Sequence, residues 1–241
     1  MIDTLPSISQ AEVEDMAELQ LRKDRKYIIQ VKNFDQLWND LPEGVFALSI
    51  DGRHDFRYES CYFDTPNLLA YRAAAHSRRR RFKVRFRHYL ETNEHMLEVK
   101  LRTARGQSQK IRIPVDEGEA DLWSPESQIF VDEATDSSIA GGLEPVLTTQ
   151  YRRSTLVDPT GASRLTIDRE VTCMDLAGRS MSVNGLVIES KTVGPPSRFD
   201  RWLWTHGVRP IRLSKYCTGL AALRPELPSN KWHRTLQNYV K

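Results

Sequence analysis

From Arg81 onward the chain alternates. Arg81, Lys83, Arg85 and Arg87 fall on one parity, and Phe82, Val84 and Phe86 fall on the other. A period of two is the signature of a β-strand, whose successive side chains point to opposite faces. Two further segments continue the pattern. Glu98, Lys100 and Arg102 alternate with Leu97, Val99 and Leu101, and Lys110 and Arg112 alternate with Ile111 and Ile113. Paired side by side, these strands would merge their charged positions into one basic wall. Such a wall must be solvated, paired with acids or filled by a polyanion.

The same reading extends along the chain. The acidic leader predicts a short helix from Ile8 to about Leu21, with Ser9 and Glu12 forming a capping box. A first strand is expected from Lys26 to Val31, with Asp24 and Lys26 on one face. A helix from Asn33 to Leu41 would bury Phe34, Leu37 and Trp38, and a short strand is expected at Ala47 to Ile50. A strand from Phe56 to Phe63 runs into YFDTP, where Thr65 and Pro66 suit the start of a helix from Asn67 to His76. Gly106 supplies the turn before the third basic strand. The acidic stretch from Pro114 to Leu143 reads as one or two short outer helices.

Two strands follow in EPVLTTQYRRSTLVD and SRLTIDREVTC. In the second, Arg164, Thr166, Asp168 and Glu170 share a parity. Asn184-Gly185 is a hairpin signal before LVIESKTV, where Glu189 and Lys191 lie together. A helix from Ser197 to His206 would end at Gly207. SKYCTGLAAL fits a helix or a last strand, and the segment from Pro225 reads as a loosely packed tail. Short connections favour antiparallel pairing. The expected architecture is α+β, a mostly antiparallel β-barrel with its charged face inward and helices packed outside. The chain divides into a leader (1–20), one domain (21–224) and a tail (225–241). An ordinary sheet with a wet, charged outer face fits the alternation alone about as well.

Composition narrows the choice. Charged residues make up 28% of the 241 positions, yet the net charge is only +3. The positive charge is therefore local, which suits an anion site better than a nucleic-acid coat. Phe82 and Phe86 lie opposite the arginines rather than interleaved on their face, which disfavours base stacking and RNA. Cys61, Cys173 and Cys217 are far apart and form no CxxC, so neither a zinc site nor a disulfide framework is expected, and a reducing cytoplasm is the default location. No apolar run reaches the ~18 residues of a membrane span.

The ordered set DRKYII, YFDTPNLLAY, RFKVRFRHY, EVK, QKIRI, YRRSTL, SRLTID, IESK and LSKY resembles the VTC domain, the catalytic domain of polyphosphate polymerases in the CYTH-like, triphosphate tunnel metalloenzyme superfamily. The resemblance runs from about Leu21 to Leu223. It implies a basic tunnel that holds polyphosphate or pyrophosphate and the triphosphate of ATP, with Mn2+ or Mg2+ as cofactor. By position it implies phosphate ligands at Lys26, Arg85, Arg87, Lys100, Lys110, Tyr151, Arg153, Arg164, Lys191 and Lys215, to which the alternation adds Lys83 and Arg112. Of these, Lys26, Arg85, Arg87, Lys100, Lys191 and Lys215 are the expected catalytic cations. Glu189 matches the metal-binding glutamate, with Asp168, Glu98 or Glu170 as helpers.

The match has a departure. Tunnel phosphatases open on an ExExK strand, whereas this chain has Arg22-Lys23-Asp24-Arg25-Lys26, with one acid. That favours the polymerase branch over a two-metal hydrolase. A triphosphate or polyphosphate hydrolase and a non-catalytic polyanion-binding module are the alternatives.

Overall fold

The computed structural model describes residues 2–16, 23–102, 108–116, 123–160 and 163–240. In chain order these form β1 (Ser7–Ile8), α1 (Gln10–Met16), β2 (Lys23–Ile29), α2 (Val31–Asn39), β3 (Phe46–Leu48), β4 (Phe56–Asp64), α3 (Leu69–Ala75), β5 (Arg81–Tyr89), β6 (Glu94–Arg102) and β7 (Ser108–Val115). There follow α4 (Pro125–Thr135), β8 (Glu144–Asp158), β9 (Ser163–Met174), β10 (Ser180–Ser182), β11 (Leu186–Thr192), α5 (Arg198–Thr205), α6 (Lys215–Leu223) and α7 (His233–Tyr239).

The strands build one curled sheet in the order β2-β11-β9-β8-β4-β5-β6-β7, with every pairing along that path antiparallel. The three basic strands pair in the register that the alternation requires. Lys83 lies opposite Lys100, which lies opposite Lys110, and Arg85 faces Glu98, which faces Arg112. Among the described residues no ladder joins β7 to β2, so the curl is a half-barrel. Lys100 of β6 reaches Asp24 of β2 at 3.0 Å and ties the two sides across the interior.

The outward face is apolar and covered by helices, as the pattern requires. Val84, Leu97 and Val99 are fully buried beneath α4, whose Val131 is buried with them. The α5 helix packs Phe199, Trp202 and Leu203 onto Tyr27, Leu165 and Ile188, and α6 packs Tyr216 and Leu220 onto Leu147 and Cys173. Each such side chain contributes about 1.5–3 kcal/mol on leaving water. The Ser197 and Asp200 capping box starts α5, and Gly207 follows its end with φ of 75°.

Some local expectations change. Val31 belongs to α2 rather than the first strand, which begins three residues earlier at Lys23. The α3 helix starts at Leu69 rather than Asn67, and Thr65 caps it as expected, its hydroxyl accepting from the Leu69 N–H at 3.0 Å, while the Asp64 carboxylate accepts from the backbone N–H of Ala70 and Tyr71 at 2.9 Å each. Asn184-Gly185 makes no hairpin. β10 and β11 both pair with β9, end to end, and Gly185 is the break between them. Its φ is 135°, and a Cβ there would lie 2.7 Å from the Ile29 carbonyl oxygen, so only glycine fits.

The tail is packed, not loose: Leu227, Trp232 and Thr235 are buried, and α7 closes over the α6 side. The leader docks as well. β1 pairs with β3 in parallel, and Ile8 and Val13 are buried against Val157. The Ser9–Glu12 box forms as expected, with the Ser9 backbone N–H donating to Glu12 at 2.9 Å. The expected leader positions 17–21, the Gly106 turn, the Gly161 boundary and the acids at 117–121 lie outside the described residues.

Candidate functional site

The inner face of the curl encloses a cavity of about 710 Å³. Twelve Lys and Arg side chains and four Glu line it. All twelve expected phosphate ligands, Tyr151 included, border this one space: Lys26, Lys83, Arg85, Arg87, Lys100, Lys110, Arg112, Tyr151, Arg153, Arg164, Lys191 and Lys215. They arrive from β2, β5, β6, β7, β8, β9, β11 and the first residue of α6. The alternation does the work, since every second residue of a paired strand points inward. Arg78, Arg79 and Arg80 precede β5 and are exposed, outside the cavity lining.

The wall carries its own counter-charges. Glu98, 2% exposed, sits among Arg85, Arg87 and Lys110. Arg85 donates through Nε at 2.7 Å and through Nη2, and Lys110 donates at 3.1 Å. Burial alone would raise the Glu98 carboxyl, but Arg85, Arg87 and Lys110 outweigh it and hold it well below the usual carboxylate range. Arg87 also donates to the Tyr151 hydroxyl at 2.9 Å, and Arg85 to the Tyr62 hydroxyl at 2.8 Å.

Asp168 departs from the expected metal role. It is fully buried and does not border the cavity. Arg153 grips both its oxygens, at 2.6 and 2.9 Å, and Lys215 donates to one of them. It acts as an anchor for two cations. Glu98 is likewise occupied and Asp24 is bound to Lys100, so neither stands ready as a helper. Glu170 is exposed on the outside. A bulge opposite Gln150–Arg152, with Glu170 at φ 53°, reverses the parity of β9 there.

Glu189 differs from Asp24, Glu98 and Asp168. It borders the cavity, and its neighbours Lys26 and Lys191 each stand 3.8 Å away, beyond hydrogen-bond reach. Burial opposes its charge, yet Lys191, Lys26 and Lys100 keep it well below the ordinary carboxylate range. It is therefore an ionised oxygen donor facing the space. Among the described residues no group of three His, Cys, Asp or Glu could hold a metal by itself.

Two lysines are poised to titrate. Burial lowers Lys83 to about 8, helped by Lys26 and Lys100, and burial lowers Lys110 to about 8 despite Glu98. Lys83 donates at 2.8 Å to the Ser214 hydroxyl, which also caps α6 by accepting from the Cys217 N–H. The sequence reading missed Ser214, although a serine just before SKYCTGLAAL's helical run is an N-cap signal. It also missed the aromatic frame. Tyr58 stacks on Tyr151 with centroids 5.3 Å apart, and Arg87 and Arg153 lie over the Tyr58 ring at 5.3 and 5.2 Å. The inner parity of Tyr58, Ser60 and Tyr62 in β4 was the signal available.

A family model described as the VTC domain matches residues 21–224. The chain belongs to the VTC domain family. Among solved structures, it is similar to an adenylate cyclase candidate from Bacillus halodurans, with 15% identity and a TM-score of 0.54 over 81% of this chain and 94% of that one. It is also similar to HpAC1 from Hippeastrum, an adenylyl cyclase candidate with a dominant triphosphatase activity, with 17% identity and a TM-score of 0.51 over 86% and 98% of the two chains. At these identities the likeness establishes the shared fold. No curated protein matches the chain. Among the described residues no helix is long and apolar enough to cross a membrane.

Proposed function

We propose that this VTC domain is a metal-dependent polyphosphate polymerase, which transfers the γ-phosphoryl group of ATP to phosphate, pyrophosphate or a growing chain. The observation that carries the reading is the composition of the cavity: twelve cations from nine elements converge on one space, and a buried, ionised carboxylate, Glu189, faces it with its lysine neighbours beyond hydrogen-bond reach. A polyphosphate is charged along its whole length, and a dense cationic lining compensates its desolvation. Arginine forks grip non-bridging oxygens in pairs, and lysines add point charge.

The residues present fit a divalent cation in one way. Glu189 is a hard oxygen donor, suited to Mn2+ or Mg2+ that completes its shell with phosphate oxygens and water. When bound, the ion supplies neutralisation across the phosphates. The protein's own part is positioning and charge. Arg85, Arg87 and Lys100 hold the acceptor and donor phosphates, and Lys26 and Lys191 flank the Glu189 end. An acceptor oxygen forms a bond to the γ-phosphorus as the bond to the β–γ bridging oxygen breaks, and ADP leaves. Arg153 and Lys215 are held in place by Asp168.

A two-metal hydrolase would need further carboxylates, but Asp24, Glu98 and Asp168 are each engaged with a cation. This supports transfer over hydrolysis. A cytoplasmic location accords with the reading. Glu189→Gln keeps the shape and removes the charge. It is expected to bind polyphosphate as the wild type does while losing turnover with ATP and Mn2+, and full turnover in this variant would remove Glu189 from the metal role.

A further inference from the structure

Three tyrosines meet on one rung of the inner face. Tyr58 of β4 is the cross-strand partner of Tyr89 on β5 and of Tyr151 on β8. Its ring stacks on Tyr151 at 5.3 Å and meets Tyr89 edge-on at 5.1 Å. Two arginines sit diagonally from it. Arg87 lies opposite Ser60, two residues along β4 in one direction, and Arg153 lies opposite Phe56, two residues along in the other. Strand register thus sets one ring between two guanidiniums, whose carbons stand 5.3 and 5.2 Å from its centre. A ring attracts a cation through the negative face of its quadrupole, and unlike a carboxylate it subtracts nothing from the charge that a polyanion meets. The contrast with Arg85 is direct. The Glu98 carboxylate grips Arg85 through two of its nitrogens, whereas it stands 3.9 Å from Arg87, whose hydrogen bonds go to the neutral hydroxyls of Tyr151 and Ser60. Arg153 shares the charge of Asp168 with Lys215, so that trio also stays net positive. Burial pushes the Tyr58 hydroxyl up to about 12, which keeps the ring a neutral phenol near neutral pH.

We propose that Tyr58 is a positioning residue for phosphate binding: its ring holds Arg87 and Arg153 in place on the cavity wall without neutralising them. The ring attracts both guanidiniums and separates their like charges. Without it, Arg87 would turn towards Glu98, the acid nearest to it, and the wall would present less positive charge to a phosphate chain. Tyr58 therefore acts through the two arginines, which are the groups that meet phosphate oxygens. The proposal rests on the reading of this cavity as a phosphate site and deepens it, by assigning part of the site's affinity to an uncharged side chain.

The test is titration calorimetry of the full chain with tripolyphosphate at two ionic strengths. Tyr58→Phe keeps the ring and is expected to bind within about twofold of the wild type. Tyr58→Leu removes the ring and is expected to bind about tenfold more weakly, the scale of two lost cation–π contacts, with a shallower dependence on salt. A second series keeps the shape of the side chain: phenylalanines carrying successively more fluorines at position 58 drain the negative face of the ring and are expected to weaken binding step by step. This series decides alone if Tyr58→Leu does not fold. A folded Tyr58→Leu protein that binds as tightly as the wild type, a loss in Tyr58→Phe equal to that in Tyr58→Leu, or a flat fluorinated series overturns the role of Tyr58 and leaves the phosphate cavity standing. A wild type that does not bind tripolyphosphate overturns both readings.

Discussion

Glu98→Gln tests how the basic wall stays folded without a ligand. Glu98 is 2% exposed and neutralises Arg85 and Lys110 directly, with Arg87 at 3.9 Å. The substitution keeps the volume and removes the charge. Three cations then face one another in a poorly hydrated space. Breaking a buried ion pair from one side costs about 3–5 kcal/mol. For a chain of this size each kcal/mol moves Tm by about 2–4 °C, so the apo variant should melt roughly 6–20 °C lower. A polyanion should then do what Glu98 did. In the wild type a phosphate competes with Glu98 for Arg85 and Lys110, whereas in the variant it meets them free. Tripolyphosphate at 100 times its Kd stabilises by about 2.7 kcal/mol, and the variant should reach that gain at a lower concentration. Differential scanning calorimetry with and without tripolyphosphate reads both quantities. An apo Tm within about 1 °C of wild type, or a ligand-induced rise no larger than in the wild type at equal concentration, refutes the reasoning.

Other outcomes follow from the same geometry. Arg85→Ala and Lys100→Ala should each weaken polyphosphate binding and flatten its dependence on salt, read by titration at two ionic strengths; unchanged, salt-insensitive affinity counts against a charged cavity. Lys83 and Lys110 titrate near 8 in the free protein, and a bound polyanion favours their charged forms and raises both values. Affinity should therefore be fullest below pH 8 and fall as pH rises past it, with proton uptake on binding above that point; a flat profile from pH 7 to 9.5 contradicts this. Tyr216→Phe removes the hydroxyl that donates to the buried Asp64 carboxylate and fixes α6, whose first residue is Lys215. It should cost about 1.5–3 kcal/mol in urea unfolding, the range for a hydrogen bond to a charged group.

The inner face was legible because period two survives in β5, β6 and β7, and pairing preserves it across strands. The same rule failed at Glu170, where one bulged residue reverses the faces. Distinguishing Glu189 from Asp168 was beyond the sequence. Both lie on an inner parity, but the saturation of Asp168 depends on Arg153 and Lys215, 15 and 47 residues away, brought together only by the β8–β9 register and the placement of α6. The packed tail was missed because Trp232 and Leu227 are sparse apolar anchors among polar neighbours, and burial there depends on α6 already being in place. The leader's docking was missed for a similar reason: it rests on a two-residue parallel pairing with β3, too short to leave a pattern.

The most direct measurement is the fate of the γ-phosphate. Purified protein is incubated with ATP and Mn2+, and the products are run on polyphosphate gels beside a free-phosphate assay, with Glu189→Gln in parallel. Polyphosphate chains that lengthen with time in the wild type, and are absent in the variant, are the expected result. Free phosphate released without chain growth would contradict the polymerase account.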